Sequence, residues 1–480
     1  MAAKVWRGRS ILWRLGAVLV AMCVVIALIV AAALATKVET DDETDAAPMP
    51  TVPDPEPALE DLPADAPEPT PTALAAILDP LAAAPEVGEL SGVVVDNATG
   101  EYLWQKDAKR ARTPASTTKL LTALAVFSTV PSDHRISTTL AKGTEPGQLV
   151  LIPGGDVTTA QSTKSTFFPG TDTLDDFVAL AKESGETFTS LTVAPGPYEG
   201  DDMAPGWNPE DIPGGFLTRV QPWMLDAART DPAVDEAPRE GQPMRAAANQ
   251  FASRLGIDQS AVTVSDKPVA VGDEIGDVES GTLADRARNV LDVSDNVGAD
   301  ALCHEAAMEK TGIADADPIS EGKAGYSDTA QRVSIREATD GVLATLREKG
   351  IDTTGTTLSD CSGMSSENKI SADVLAQVLH VAAGPDASPQ ERAMLGGLPI
   401  AGGSGTLLDR FAAGTPAAAG AGWVRAKTGT LSGVTTLAGV VATKDGRSLS
   451  FALMSEGANP ADSRPGVDAM AAALRGCGCR

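Results

Sequence analysis

Polar and apolar positions divide the chain into stretches of different texture. From Leu15 to Ala35, 21 positions pass without a charge, and Lys4, Arg7, Arg9 and Arg14 precede them. That length is enough to cross a hydrocarbon core of roughly 30 Å, and the basic flank belongs on the inner side. Residues 1–38 are therefore expected to be a cytoplasmic stub and a transmembrane signal anchor, with the remaining chain outside the membrane. Ala33-Leu34-Ala35 also resembles a signal-cleavage site, which makes secretion the alternative. Residues 39–72 carry eleven acids, many prolines and no Lys or Arg. Such a stretch repels itself and has too little apolar surface to fold, so it reads as a disordered tether.

Beyond it the pattern is that of a folded protein. "SGVVVDNATGEYLWQKD" (91–107) alternates around a polar turn at Asn97 to Gly100 and predicts a β-hairpin. "TPASTTKLLTALAVF" (113–127) is an apolar run with helix character. "GWVRAKTGTLSGVTTLAGVVATKDGRSLSFALMSEG" (422–457) predicts two β-rich runs around an Asp445-Gly446 turn. "PGVDAMAAALRG" (465–476) predicts a closing helix. The first and last elements thus suggest one antiparallel sheet with helices against it. The middle, rich in Pro, Gly, Asp and Thr, has short strand-like runs such as "GQLVLIPGGD" and "FTSLTVAPG". It predicts an inserted β-rich domain over 124–258, between domain segments 73–123 and 259–480. Helical spacing returns over 281–310.

Length and charge narrow the field. The 480 residues leave room for two or three domains. A net charge of −27, with no basic stripe, excludes nucleic acid as a partner. No C-x-x-C pair suggests zinc, and no cofactor motif is present.

Three short motifs carry the chemistry: Ser116-Thr117-Thr118-Lys119, Ser294-Asp295-Asn296, and Lys427-Thr428-Gly429 continued by Thr430. Each is weak alone. Together they fall at a helix start, an inter-helix turn and a strand, and that set is the signature of penicillin-binding proteins and serine β-lactamases. A serine hydroxyl needs a neighbour to take its proton. Residues i and i+3 share a helix face, so Lys119 stacks on Ser116. Burial and a second lysine push Lys119 toward the neutral form that can act as base. Ser294 is positioned to relay a proton and Asn296 to bind the substrate's peptide group. Lys427 supplies charge for a substrate carboxylate, with the hydroxyls of Thr428 and Thr430 beside it and Gly429 between them. The N–H groups of Ser116 and Thr430 form the expected oxyanion hole. A Ser-His-Asp plan has only His134, His304 and His380 to draw on, and no G-x-S-x-G turn.

With these motifs the chain resembles the class C low-molecular-mass penicillin-binding proteins, D-alanyl-D-alanine carboxypeptidases and endopeptidases. The resemblance extends to "LVLIPGGDVT" (149–158), with Val157 in place of a proline, and to "LSDCSGMSSEN" (358–368), with Cys361 in place of a glycine. It also covers "LPIAGGSGTLLDRF" (398–411) and "VRAKTGTLSGVTTLAGVV" (424–441). It implies an α/β transpeptidase-like domain in two chain segments around an insert, with an antiparallel sheet flanked by helices plus an all-helical part. The implied substrates are peptidoglycan stem peptides ending in D-Ala-D-Ala, β-lactams are implied as covalent ligands, and no metal or cofactor is called for. It further implies an acidic residue of the insert near the site, for which Asp201 and Asp202 are stand-ins. The four cysteines beyond the anchor allow three complete pairings. A Cys303–Cys361 bridge is one expectation, and a buried thiol at each position is the other. A β-lactamase and an inactive cell-wall-binding module of the same fold are the competing readings.

Overall fold

The computed structural model describes residues 63, 66–163, 167–314, 318–320, 322–326 and 332–477. The expected anchor and most of the tether lie outside them. Among the described residues no helix is long and apolar enough to cross a membrane.

Segments from opposite ends of the chain build one five-stranded antiparallel sheet. Its spatial order is Val424–Leu431, Val434–Ala442, Ser448–Glu456, Glu89–Asp96, Tyr102–Lys106. Val93 and Val95 face a core shared with the helices Lys119–Thr129 and Ala372–Ala383, while Leu90 and Val94 face one shared with Pro71–Ala82 and Pro460–Gly476. Helices cover both faces, so the central strands read as continuous apolar runs. The 422–457 region holds three strands where the sequence suggested two runs. The extra reversal is a two-residue turn before Val434, with Gly433 at φ 72°. The closing helix starts at Pro460, five residues earlier than expected. Asn459 caps it by accepting from Ala461 N–H at 2.9 Å, and Pro460 sits in the first turn, where no N–H is needed.

The tether ends sooner than its composition implied. Thr70 caps the helix Pro71–Ala82, accepting from Ala73 N–H. Ala66 is buried, and its carbonyl accepts from Arg447 at 3.2 Å.

The insert is a second sheet of seven strands, in the order Ile319–Ser320, Lys323–Ala324, Val269–Glu279, Ser137–Gly143, Gln148–Ile152, Ser190–Val193, Val262–Val264. Phe177 of helix Leu174–Glu183 and Phe251 of helix Pro243–Leu255 pack with Trp223 against it. The expected boundary at 123/124 falls inside the helix Lys119–Thr129, and the one at 258/259 falls before two of the insert's own strands. The long strand Val269–Glu279 does not show in the sequence because its five apolar residues, Val269, Ala270, Val271, Ile275 and Val278, do not alternate, amid Gly, Asp and Glu ("VAVGDEIGDVE"). The insert leaves and rejoins the helical part at one place: Leu283 N–H bonds to His134 O at 2.8 Å and Ala284 N–H to Ser132 O at 3.0 Å. The helices Leu283–Val293, Asn296–Thr311 and Ile335–Glu348 complete the helical part.

Candidate active site

The turn bearing Ser116 is tied to the sheet before it enters its helix. Arg112, buried, donates to Ser91 Oγ at 2.7 Å and to Glu456 Oε2 at 2.9 Å. Thr113 N–H donates to Glu456 Oε1 at 2.8 Å, and Thr436 Oγ1 donates to Pro114 O at 2.8 Å. Ala115 is held at φ 48°, a left-handed conformation unusual for a residue with a side chain. A 3-10 turn over Ala115–Thr118 then leads into the helix Lys119–Thr129. In such a turn residues i and i+3 eclipse, which stacks Lys119 on Ser116.

Lys119 is buried, and its Nζ has three neighbours: Ser116 Oγ at 3.1 Å, Asn296 Oδ1 at 2.6 Å and Ser362 O at 2.7 Å. Asn296 Nδ2 donates to Phe216 O at 2.7 Å, which fixes which end of the amide faces the lysine. Two of the three neighbours can therefore only accept. A neutral amine has two N–H bonds and one lone pair, and here the N–H bonds have fixed takers while the lone pair faces the serine hydroxyl. Burial pulls the Lys119 ammonium down to about 8, against the opposing pull of Asp360, Asp300 and Asp295.

The loop that supplies Ser362 O is itself anchored. Cys303 and Cys361 form a disulfide, as the first of the two cysteine readings expected. Cys361 N–H donates to Asp300 Oδ1 at 2.9 Å, and Thr122 Oγ1 donates to Cys361 O at 2.7 Å. Asp360 gathers Trp207 Nε1, Gly363 N–H, Ser365 N–H and Asn368 Nδ2 within 2.7 Å. Gly363, at φ 89°, packs so tightly on Ala115 that a Cβ would come within 1.9 Å of its carbonyl oxygen.

The second motif turns at Ser294, which caps its helix at φ 66° and lines the cleft. Between the two candidate polar groups sits Asp295, which the motif reading left without a role. It is buried and accepts from Gly298 N–H at 2.6 Å, Arg229 at 2.8 Å and Arg239 at 2.9 Å. The two guanidiniums hold its carboxyl well below the usual carboxylate range despite burial. The same arginines grip the insert: Arg239 donates to Ala227 O and Gly215 O, and Arg229 to Asp226 O. Asp226, Ala227 and Ala228 are all at positive φ (48°, 50° and 66°), a left-handed turn whose carbonyls these arginines bind. Asp295 thus fastens the insert beside the motif.

On the strand Val424–Leu431, Thr428 Oγ1 donates to Thr406 Oγ1 at 2.8 Å and Thr430 is exposed to the cleft. Gly429 meets Ser116: a Cβ there would lie 2.2 Å from Thr436 Oγ1, 2.9 Å from Pro114 O and 3.0 Å from Ser116 N. Gly429→Ala is therefore expected to push the serine turn off the strand. Acylation by a β-lactam should slow about 10²-fold, the scale of a misplaced reacting group, with the thermal unfolding midpoint reporting whether the fold survives.

Lys427 is fully buried. Its Nζ donates to Thr428 O at 3.1 Å, and burial, with Lys119 nearby, pushes its ammonium well below the ordinary lysine range. Two residues before Gly429 on the strand, it shares the face that packs against the Ser116 turn.

The cleft itself, about 590 Å³, is bordered by Ser116, Ser294, Asn296, Thr428 and Thr430 on one side and by the insert's Phe216, Asp235 and Glu236 on the other. Asp201 and Asp202 are elsewhere. Asp202 pairs with Arg219 at 2.6 Å, and Asp201 lies by Met203 and Ile335 in a separate depression. Among the described residues no histidine borders the cleft. His134 pairs with Glu305 at 2.7 Å, and His304 stacks on Tyr198 with ring centroids 4.3 Å apart.

The family model described as the D-Ala-D-Ala carboxypeptidase 3 (S13) family matches residues 74–250 and 242–476. The chain belongs to that family. This makes it, by class, a D-Ala-D-Ala carboxypeptidase, a hydrolase. It is 37% identical over 477 residues to the carboxypeptidase DacB of Mycolicibacterium smegmatis, covering 99% of this chain and 98% of that one. A carboxypeptidase of Mycobacterium tuberculosis is 36% identical over 415 residues, covering 86% and 85%. The S13 carboxypeptidase also superposes on penicillin binding protein 4 of Haemophilus influenzae with a TM-score of 0.62 at 18% identity, covering 83% of this chain and 97% of the other. That likeness shows a shared penicillin-binding fold.

Proposed function

We propose that this carboxypeptidase works through an acyl-enzyme on Ser116, with Lys119 as general base, on peptidoglycan stem peptides ending in D-Ala-D-Ala. The observation that carries the reading is the Lys119 amine, with two acceptor-only neighbours and Ser116 Oγ at 3.1 Å. Lys119 takes the hydroxyl proton as Ser116 Oγ attacks the penultimate D-alanine carbonyl. The N–H groups of Ser116 and Thr430 receive the oxyanion, a contribution of about 10²–10³ in rate. Ser294 passes a proton to the departing amine, and Asn296 holds the peptide. Lys427 supplies positive charge toward a substrate carboxylate, and Thr428 and Thr430 offer hydroxyls. The released D-alanine leaves, and water attacks the ester to free Ser116. The same steps on a cross-link make an endopeptidase. Penicillin enters the same route and stops at the ester.

The uncharged run Leu15–Ala35 behind a basic flank supports anchoring to a membrane with the catalytic body outside.

Incubating the purified protein with muropeptides and reading products by mass tests the reading. Loss of a single alanine is the carboxypeptidase result, and conversion of dimer to monomer is the endopeptidase result. Unchanged muropeptides would reject both.

A further inference from the structure

Four arginines border the cleft, and three are spoken for. Arg229 and Arg239 both bind Asp295. Arg410 grips Asp468 with two nitrogens. Arg464 has neither a hydrogen bond nor an ion pair among the described residues, and its Nε is buried without an acceptor. A buried N–H left unpaired costs free energy in the resting enzyme, so it marks a place where an acceptor belongs. The carboxylate one turn further along its helix, Asp468, is already held by Arg410.

The position of Arg464 is set by its neighbours. Ser463, the residue before it, is buried and donates to Thr435 Oγ1 at 2.8 Å. Thr435 pairs directly with Thr430 across the two strands. The backbone of Arg464 is thereby fixed beside Thr430, and its side chain shares the cleft with Thr428 and Thr430. Lys427, the other cation of this strand end, is fully buried and turned onto Thr428 O.

We propose that Arg464 binds the free C-terminal carboxylate of the substrate, together with the Thr430 hydroxyl. The guanidinium fork matches a carboxylate's two oxygens, a geometry an ammonium lacks. The proposal rests on the acyl-enzyme reading above, and it assigns the preference for a chain end: the carboxylate recognised is that of the residue leaving from Ser116.

The test uses two matched substrates, an acyl-D-Ala-D-Ala peptide with a free acid and the same peptide capped as its methyl amide. kcat and KM are measured for the whole protein and for Arg464→Gln and Arg464→Lys, with penicillin labelling of Ser116 as a parallel readout. Wild type should favour the free acid. In Arg464→Gln that preference should fall about 10- to 100-fold, the scale of a lost hydrogen bond to a charged group, mainly through KM. Arg464→Lys, which keeps the charge without the fork, should retain part of it. An undiminished preference in Arg464→Gln, in an enzyme that still labels with penicillin, overturns the Arg464 assignment alone. A wild-type protein that cleaves neither peptide and takes up no penicillin overturns the acyl-enzyme reading, and the assignment with it.

Discussion

Lys119→Ala should slow acylation at Ser116 by about 10²–10⁴-fold, the usual contribution of a positioned general base, with the fold retained. The amine is the only nitrogen of a side chain on Ser116 Oγ among the described residues, so nothing replaces it as proton acceptor. Asn296 Oδ1 and Ser362 O lose a donor, but the helix Lys119–Thr129 keeps its apolar contacts through Leu120, Leu121 and Leu124. Circular dichroism should match wild type. The pH profile gives a second arm. The active form is the neutral amine, and burial brings Lys119 down to about 8. Wild-type acylation should therefore rise with pH through about 8 and level off above it, and the variant should lose that step. Acylation of Lys119→Ala near the wild-type rate at neutral pH would show that another group is the base.

Benzylpenicillin should leave one added drug mass on the protein, mapped to Ser116, and Ser116→Ala should show none. The strained amide of the drug lies beside a carboxylate, in the shape of an acyl-D-Ala-D-Ala end. Attack opens the ring, yet the leaving nitrogen stays tethered to the acyl group. It cannot diffuse away as D-alanine does, and it blocks the approach of water, so the ester should persist far beyond one turnover of peptide. Intact-protein mass spectrometry before and after a chase reads both points. An unmodified wild-type protein with the drug left intact would favour the binding-module reading. Rapid hydrolysis of the drug would favour the β-lactamase.

The motifs that carry chemistry were legible because each is local. Ser116 and Lys119 are three residues apart, and the Ser294 turn and the Lys427 strand announce themselves in short runs. The sheet built from both chain ends was legible from its apolar runs and the polar turns between them. What the sequence hid is tertiary. Ser362 O and Phe216 O, which orient Lys119 and Asn296, are backbone carbonyls with no side-chain signature. Arg229 and Arg239 lie over fifty residues from the Asp295 they bind. Asp201 and Asp202 had the right charge in the wrong place, because the insert reaches the cleft through 215–240 and not through the loop at 200. The strand Val269–Glu279 escaped because its polar face is exposed and glycines interrupt its alternation.

The pairing of Glu89–Asp96 with Ser448–Glu456 has a consequence for the order of assembly. Asp96 and its partner Arg447 are 351 residues apart. While the chain is being made, the first strand waits with one edge open, and Ser116 has no strand beside it. The cost of closing so long a loop grows only with the logarithm of its length, and the insert shortens it further. By pairing Ser137 with Glu279, it brings the end of the helix Lys119–Thr129 to the start of Leu283–Val293. It is a splint as much as a domain. Catalytic power arrives only when the last strands dock, so a chain stopped anywhere before about residue 430 carries a serine and a lysine but no working peptidase.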